Sequence, residues 1–259
     1  MIDAEFAFLV RLAEAAGEVV LPHFRVPLAV ENKAAGGLYD PVTVADRSAE
    51  LKIRALIGEA FPDDGILGEE FGGERTDAER VWIIDPIDGT RAFVTGIPLW
   101  GTLVGRLDAG RPALGLMAQP YIGEVFLGDG RHAELRRGGE RFPLATRPAA
   151  SLAEANLMTT TPALFEGADR DAFDQLAARV RLTRYGGDCY AYCMIAAGLV
   201  DVVVEAGLQS YDIAPLIPIV EGAGGAVATW EGGPAQGGGR VVAAASRRLL
   251  DETLAVLAG

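Results

Sequence analysis

Apolar residues recur at helical spacing from the start of the chain. Phe6, Leu9, Val10, Ala13, Ala16 and Val20 share one face of a helix predicted over residues 3–25. After a Gly-containing stretch comes DPVTVADRSAELKIRALIGEAFP, where a short extended piece turns into a second helix from about Arg47 to Ala60, stopped by Pro62. Short apolar strands are predicted at 65–68 and 81–84, each ending in acids, Glu69-Glu70 and Asp85. From Leu99 to Leu127, apolar runs separated by Gly and Pro predict a meander of antiparallel strands. Beyond an Arg/Gly stretch near 130–150 the pattern changes. Helices at 170–181, 189–199, 213–222 and 246–258 interleave with strands at 200–205, 226–230 and 241–245, as in an α/β layer. No internal repeat is visible, and GGPAQGGG at 232–239 reads as a loop between two late strands. The shift divides the chain into an N-terminal α+β subdomain, 1–145, and a C-terminal α/β subdomain, 146–259, expected to pack as one compact unit.

Composition narrows the function. The 259 residues are half hydrophobic and about a quarter charged, ordinary for a globular enzyme with a sizeable core. Thirty-six acids oppose 23 bases, a formal charge of −13 that repels nucleic acid and anionic lipid. No stretch approaches the roughly 20 apolar residues of a membrane span, and the N-terminus lacks the basic flank of a signal peptide, so a cytoplasmic protein is expected. Cys189 and Cys193, four apart in an apolar helical stretch, read as buried reduced thiols. With His23 and His132 far apart, neither a zinc site nor a histidine nucleophile is expected.

The most informative stretch is WIIDPIDGTRAFVTGIPLWGTLVG, residues 82–105. An apolar strand is expected to deliver Asp85 at its end, with Pro86 locking the turn and Asp88 three residues on. Two carboxylates so spaced on a rigid turn can converge on hard cations, and Mg²⁺ prefers oxygen ligands. The Gly89 and Thr90 N–H groups, at an incipient helix start, can face a phosphate. Three further acidic elements are weak alone: Glu69-Glu70, Asp212 as N-cap of an apolar helix, and Asp46 with Thr43 just before the helix at 47. A substrate phosphate poses a puzzle for so acidic a chain, which a bound divalent cation would resolve.

Together these elements resemble the inositol monophosphatase superfamily, with its acid-rich first motif, Trp-x-x-Asp-Pro-x-Asp-Gly-Thr, and a late Asp before an apolar helix ending Glu-x-x-Gly-Gly. The resemblance implies a five-layer αβαβα sandwich of the inositol monophosphatase/fructose bisphosphatase type, two or three Mg²⁺ per site (with Mn²⁺ as an alternative), and a homodimer. Residue by residue, Glu69, Asp85 and the Ile87 carbonyl match the first metal site, and Asp85, Asp88 and Asp212 the second. Thr90 and Asp46 match the pair that orients and deprotonates the attacking water, with Glu70 assisting a third metal. The implied activity is hydrolysis of a small phosphorylated metabolite by metal-activated water.

Within that superfamily the chain looks most like the histidinol-phosphate phosphatases. The carrying features are Arg91-Ala92-Phe93, Pro98-Leu99-Trp100-Gly101-Thr102-Leu103, and Gly186 to Tyr192. Histidinol phosphate bears an ammonium and a titratable imidazole, so its pocket should contain carboxylates beyond those on the metals. Asp188 and Glu205 are the candidates, with Gly89, Thr90, Arg91 and Asp212 beside them. Each has a plainer reading, Asp188 as N-cap of the helix at 189–199 and Glu205 as a surface acid at a strand end. Inositol monophosphate, other sugar phosphates and nucleotide phosphates, with Tyr190 or Tyr192 as an adenine platform, are alternative substrates. A metal-binding regulatory protein without catalysis is the alternative outside enzymes. Segment 26–40, polar and Gly-containing, is expected to form a mobile lid.

Overall fold

The computed structural model describes residues 2–26, 30–32, 41–147 and 151–259. The lid expected over 26–40 falls mainly on 27–29 and 33–40, outside the described residues.

The chain opens with α1 (Ile2–Val20), followed by a short antiparallel pair, β1 (Val30–Asn32) and β2 (Pro41–Thr43). Helix α2 (Val44–Ala60) begins earlier than its apolar pattern indicates, so Asp46 lies in its first turn and not ahead of it. Then follow β3 (Gly65–Gly68), β4 (Gly72–Glu74), β5 (Arg80–Asp88), the short helix α3 (Thr90–Val94), and the meander β6 (Gly101–Asp108), β7 (Arg111–Gln119) and β8 (Glu124–Gly128). The Arg/Gly stretch continues the meander as β9 (Ala133–Arg137) and β10 (Glu140–Pro143), a hairpin whose run of Glu and Arg hides its strand character. These eight strands form one sheet in the order β10-β9-β8-β7-β6-β5-β3-β4, antiparallel except for β3 beside β5.

The second half contains β11 (Asn156–Thr159), α4 (Gly167–Ala177), β12 (Leu182–Tyr185), α5 (Asp188–Ala196), β13 (Val202–Leu208), α6 (Ser210–Ile213), α7 (Ile217–Gly222), β14 (Ala226–Thr229), β15 (Gly239–Ala244) and α8 (Arg247–Leu257). Its five strands are ordered β12-β11-β13-β15-β14. Strands β11 and β12 are not anticipated in the sequence; β12 is an edge strand of largely exposed residues. The helix expected at 213–222 is two pieces, α6 and α7, with Pro215 between them.

Layering follows from alternation along the strands. Trp82 and Ile84 of β5, Val104 of β6 and Leu116 of β7 pack under α1 and α2 against Phe6, Leu9, Leu12, Ile53 and Ile57. Leu103, Met117 and Phe126, from the same sheet, meet α5 and α7 through Cys193, Ile195, Ile219 and Val220. Val203, Val241 and Ala243 of the second sheet close that middle layer, while Val202, Val204 and Val242 turn outward to Phe173, Leu176, Leu249 and Leu250 of α4 and α8. The result is the five-layer αβαβα sandwich. The middle layer sits close to the first sheet because Gly115 has no side chain. A Cβ there would overlap the carbonyl of Pro215, which follows α6. That close approach carries Asp212 on α6 towards Asp85 on β5.

Candidate active site

The site is built where β5 departs from regular pairing. The strand does not stop at Asp85, as its apolar run suggests, but continues to Asp88 with a register irregularity between Asp85 and Asp88 opposite β6. In a regular strand, residues three apart point to opposite faces. The irregular step across Pro86 and Ile87 removes that constraint. Pro86 has no N–H to give, and its carbonyl accepts from the buried Thr102 hydroxyl at 2.8 Å. The Ile87 N–H donates back to Asp85 Oδ1 at 3.1 Å, and the Thr90 hydroxyl donates to the Ile87 carbonyl at 3.0 Å. Gly89, at φ +82°, makes the turn into α3, and a Cβ there would lie 3.0 Å from the Leu99 carbonyl oxygen.

Asp85, Asp88 and Asp212 converge, with one carboxylate oxygen from each lying within 4.8 Å of the other two. Asp212 is not an N-cap: Gln209 caps α6, and Asp212 closes a capping box by accepting the Gln209 N–H at 2.7 Å. Asp88 accepts the Cys189 N–H at 2.7 Å. Glu69 follows β3, its N–H donating to the Ile84 carbonyl at 3.1 Å, and it lines the same cleft. Glu70 turns towards Arg47, 3.4 Å away on α2.

The cluster is electrostatically stressed in the protein alone. Burial pushes the Asp85 carboxyl well above its ordinary range, and Glu69, Asp88, Asp212 and Asp46 add repulsion in that order. Burial also raises Asp88, followed by repulsion from Asp188 and Asp212, with the Cys189 hydrogen bonds opposing. Buried carboxylates that repel one another, with oxygens spaced about as widely as two ligands across one hard cation, fit a divalent metal.

The cleft around them holds about 520 Å³, and Arg91, Thr160, Asp188, Tyr192 and Glu205 line it together with the acids. Asp188 does not cap α5. Gly187 does, and Asp188 occupies a left-handed conformation at φ +43° with its carboxyl in the cleft. Burial raises it to about 6, opposed by the Arg91 charge and a Thr160 hydrogen bond. Glu205 is neither at a strand end nor on the surface. It lies within β13, 2% exposed, and accepts from the Thr160 N–H at 2.7 Å and the Thr160 hydroxyl at 3.0 Å. Burial pushes it up to about 8. Tyr190 points away and donates to Glu124, whereas the Tyr192 ring borders the cleft. Among the described residues, the buried Tyr192 hydroxyl has no hydrogen-bond partner. Sequence reasoning missed Thr160, which sits in the run Thr159-Thr160-Thr161 at the end of β11, a strand it did not anticipate. Cys189 and Cys193 are free and buried. No helix among the described residues is long and apolar enough to cross a membrane.

Comparison with known proteins agrees with this architecture. A family model, the inositol monophosphatase family, matches residues 2–258. The chain is 41% identical over 224 residues to the chloroplastic bifunctional phosphatase IMPL2 of Arabidopsis thaliana, aligning 85% of its own length with 63% of that protein. It is 37% identical over 222 residues to a histidinol-phosphatase of Chlorobaculum parvum, 85% of one chain against 84% of the other. An inositol monophosphatase structure from Zymomonas mobilis superposes with a TM-score of 0.88 at 40% identity, covering 99% of this chain and 98% of that one.

Proposed function

The chain belongs to the inositol monophosphatase family and is a phosphoric monoester hydrolase, and from that premise we propose that its substrate is L-histidinol phosphate, cleaved to L-histidinol and phosphate. The observation that carries this reading is the pair Asp188 and Glu205, carboxyls in the cleft and outside the tight Asp85–Asp88–Asp212 group. A substrate with only hydroxyls has no charge to offer Asp188, whereas an ammonium and an imidazolium do. The likeness to the Chlorobaculum parvum histidinol-phosphatase points the same way.

In this reading Glu69, Asp85, the Ile87 carbonyl, Asp88 and Asp212 hold Mg²⁺, or Mn²⁺ in its place, and Glu70 assists a further ion. Metal bound there supplies charge neutralisation at the phosphoryl group and a more acidic water. The chain's own groups do the rest. Thr90 Oγ1, steadied on the Ile87 carbonyl, orients the attacking water. Asp46, in the first turn of α2, accepts the Thr90 hydroxyl proton as Thr90 Oγ1 takes that of the water, which requires the hydroxyl to turn from the Ile87 carbonyl towards Asp46. The Gly89 and Thr90 N–H groups and the Arg91 guanidinium receive the phosphoryl oxygens. Asp188 takes the cationic end, with Glu205 beside it as a polar neighbour, and the departing alkoxide collects a proton from solvent.

Inositol monophosphate is the second reading, favoured by the superposition with the Zymomonas mobilis protein. Phosphate release from L-histidinol phosphate and from myo-inositol 1-phosphate, each with and without Mg²⁺, separates the two. We expect kcat/KM at least about tenfold higher for histidinol phosphate. The reverse order transfers the assignment to inositol phosphate, and no metal-dependent release from either transfers it to another phosphate monoester. A homodimer belongs to this reading as well, and light scattering after size exclusion measures it.

A further inference from the structure

Helix α2 carries a second carboxylate that the chemistry above does not use. Glu50 lies one helical turn after Asp46 and is completely buried. A buried carboxylate is costly unless its oxygens are satisfied, and the partners of this one all lie on or around a single turn. Its Oε2 accepts the Glu70 N–H at 2.7 Å, and its Oε1 accepts the Phe71 N–H at 3.3 Å. Oε1 also accepts from Arg54 Nε at 2.7 Å, one further helical turn along α2. The other arm of the Arg54 guanidinium donates to the Gly72 carbonyl. From one helix, therefore, an ion pair grips the backbone at three consecutive positions directly after Glu69.

The opposite side of the turn is held as well. Gly68 pairs with Ile84 in parallel register, and the Glu69 N–H donates to the Ile84 carbonyl. The Glu50 carboxylate also occupies the space that a side chain at 68 would need, since a Cβ there would overlap it. The residue at 68 is thus glycine because Glu50 is there. The Glu69 backbone is consequently clamped between β5, which bears Asp85, and α2, which bears Asp46.

We propose that Glu50 and Arg54 are a positioning pair, fixing Glu69 and Glu70 relative to the Asp46 helix so that the acids meet a metal in one arrangement. The inference rests on the reading of Glu69 and Glu70 as metal ligands. Neither Glu50 nor Arg54 touches substrate. Their effect is on how much reorganisation the metal must impose when it binds, and charge-assisted bonds to backbone N–H groups are the strong, geometrically exact kind suited to that task.

The test is calorimetric titration of Mn²⁺ and Mg²⁺ into the metal-free whole protein, alongside the metal dependence of turnover. Glu50→Gln keeps the shape and one acceptor while removing the charge. We expect about tenfold weaker metal binding and an equally raised metal requirement, with kcat at saturating metal within about threefold of wild type. Arg54→Gln should shift metal affinity in the same direction by a smaller factor, and it serves equally if Glu50→Gln does not fold. Gly68→Ala should reproduce the metal defect, yet add little in a Glu50→Ala background where the carboxylate is gone. Unchanged metal affinity in a folded Glu50→Gln or Arg54→Gln protein, with only the melting temperature lowered, reduces the pair to a structural brace and overturns the proposal. Absence of metal binding by the wild-type protein would instead overturn the ligand assignment on which it rests.

Discussion

The backbone N–H of Cys189 donates to Oδ2 of Asp88 at 2.7 Å, joining residues 101 positions apart. This bond ties the start of α5 to the end of β5, so a cleft acid and a metal-cluster acid share one support. Asp188 is the neighbour of Cys189, and its charge is the largest after burial in raising the Asp88 carboxyl. Substitutions in the cleft must therefore be read with a control for the metal cluster.

Asp85→Asn keeps the size of the side chain and an acceptor for the Ile87 N–H, and loses the charge. Phosphatase activity should fall by at least about 10³-fold at saturating metal, because electrostatic stabilisation carries most of the barrier reduction in such sites. The metal-free variant should melt no lower than wild type, since one of several repelling carboxylates is gone. A tenth of wild-type turnover would remove Asp85 from the metal site.

Metal itself should stabilise the fold. Burial and mutual repulsion raise the Asp85 and Asp88 carboxyls, so the metal-free native state loses stability as pH rises above their unfolded values. Millimolar Mg²⁺ should raise the melting temperature saturably, and more at pH 8 than at pH 5. EDTA should reverse the gain. A midpoint indifferent to Mg²⁺ at both pH values contradicts a preformed carboxylate site.

Asp188 sits at φ +43°, where asparagine is tolerated and alanine is strained by roughly 1 kcal/mol. Asp188→Asn is therefore the cleaner probe and Asp188→Ala the harsher one. Loss of a partly buried partner to a charged group costs about 2–5 kcal/mol, or roughly 30- to several-thousand-fold in kcat/KM for histidinol phosphate. Turnover of p-nitrophenyl phosphate, which has no cation, should change by less than about threefold. Equal losses on both substrates would place Asp188 in support of Asp88 and not in substrate choice.

Glu205 has a folded-state value of about 8 against 4.5 for the free group. Below pH 4.5 both states are protonated and the shift has no effect. As pH rises from there to about 8, the unfolded chain releases a proton that the native state retains, so stability falls across this window and levels off above it. Glu205→Gln can still accept from Thr160 and does not titrate. Denaturant unfolding of the two metal-free proteins should show the variant gaining on wild type by up to about 5 kcal/mol between pH 4.5 and pH 8. Parallel stability curves would mean that Glu205 ionises normally in the fold.

Tyr192→Phe removes the buried hydroxyl that has no partner among the described residues. An unsatisfied buried hydroxyl is costly, so the metal-free variant should be more stable by about 1 kcal/mol. If bound substrate accepts that hydroxyl, KM should rise by about fivefold or more with kcat little changed. A destabilised variant would show that the hydroxyl already has a partner in solution.

Many of the elements and the central acids were legible in one dimension because both rest on local patterns, whereas the layered architecture came only from the resemblance to a known family. Alternating apolar runs predicted the meander at 99–127, and the spacing of Asp85, Pro86, Asp88, Gly89 and Thr90 is contiguous chemistry. The polar hairpin of β9 and β10 and the largely exposed edge strand β12 were not legible, since a polar or exposed strand leaves no apolar periodic signature, and β11 was missed with them. The plainer readings of single acids outside the central motif fail for a related reason. Asp188 and Asp212 stand where caps are common, yet Gly187 and Gln209 cap those helices. Whether a carboxylate faces solvent, a backbone N–H or another carboxylate depends on what packs against it from distant parts of the chain. Gly115 admits Pro215 and so draws Asp212 towards Asp85, Thr160 reaches across to hold Glu205, and Glu50 fills the space above Gly68. Sequence by itself determined which residues carry charge and which segments bury apolar surface. Only the tertiary structure decided which charges meet, because long-range packing sets the distances on which electrostatics depends.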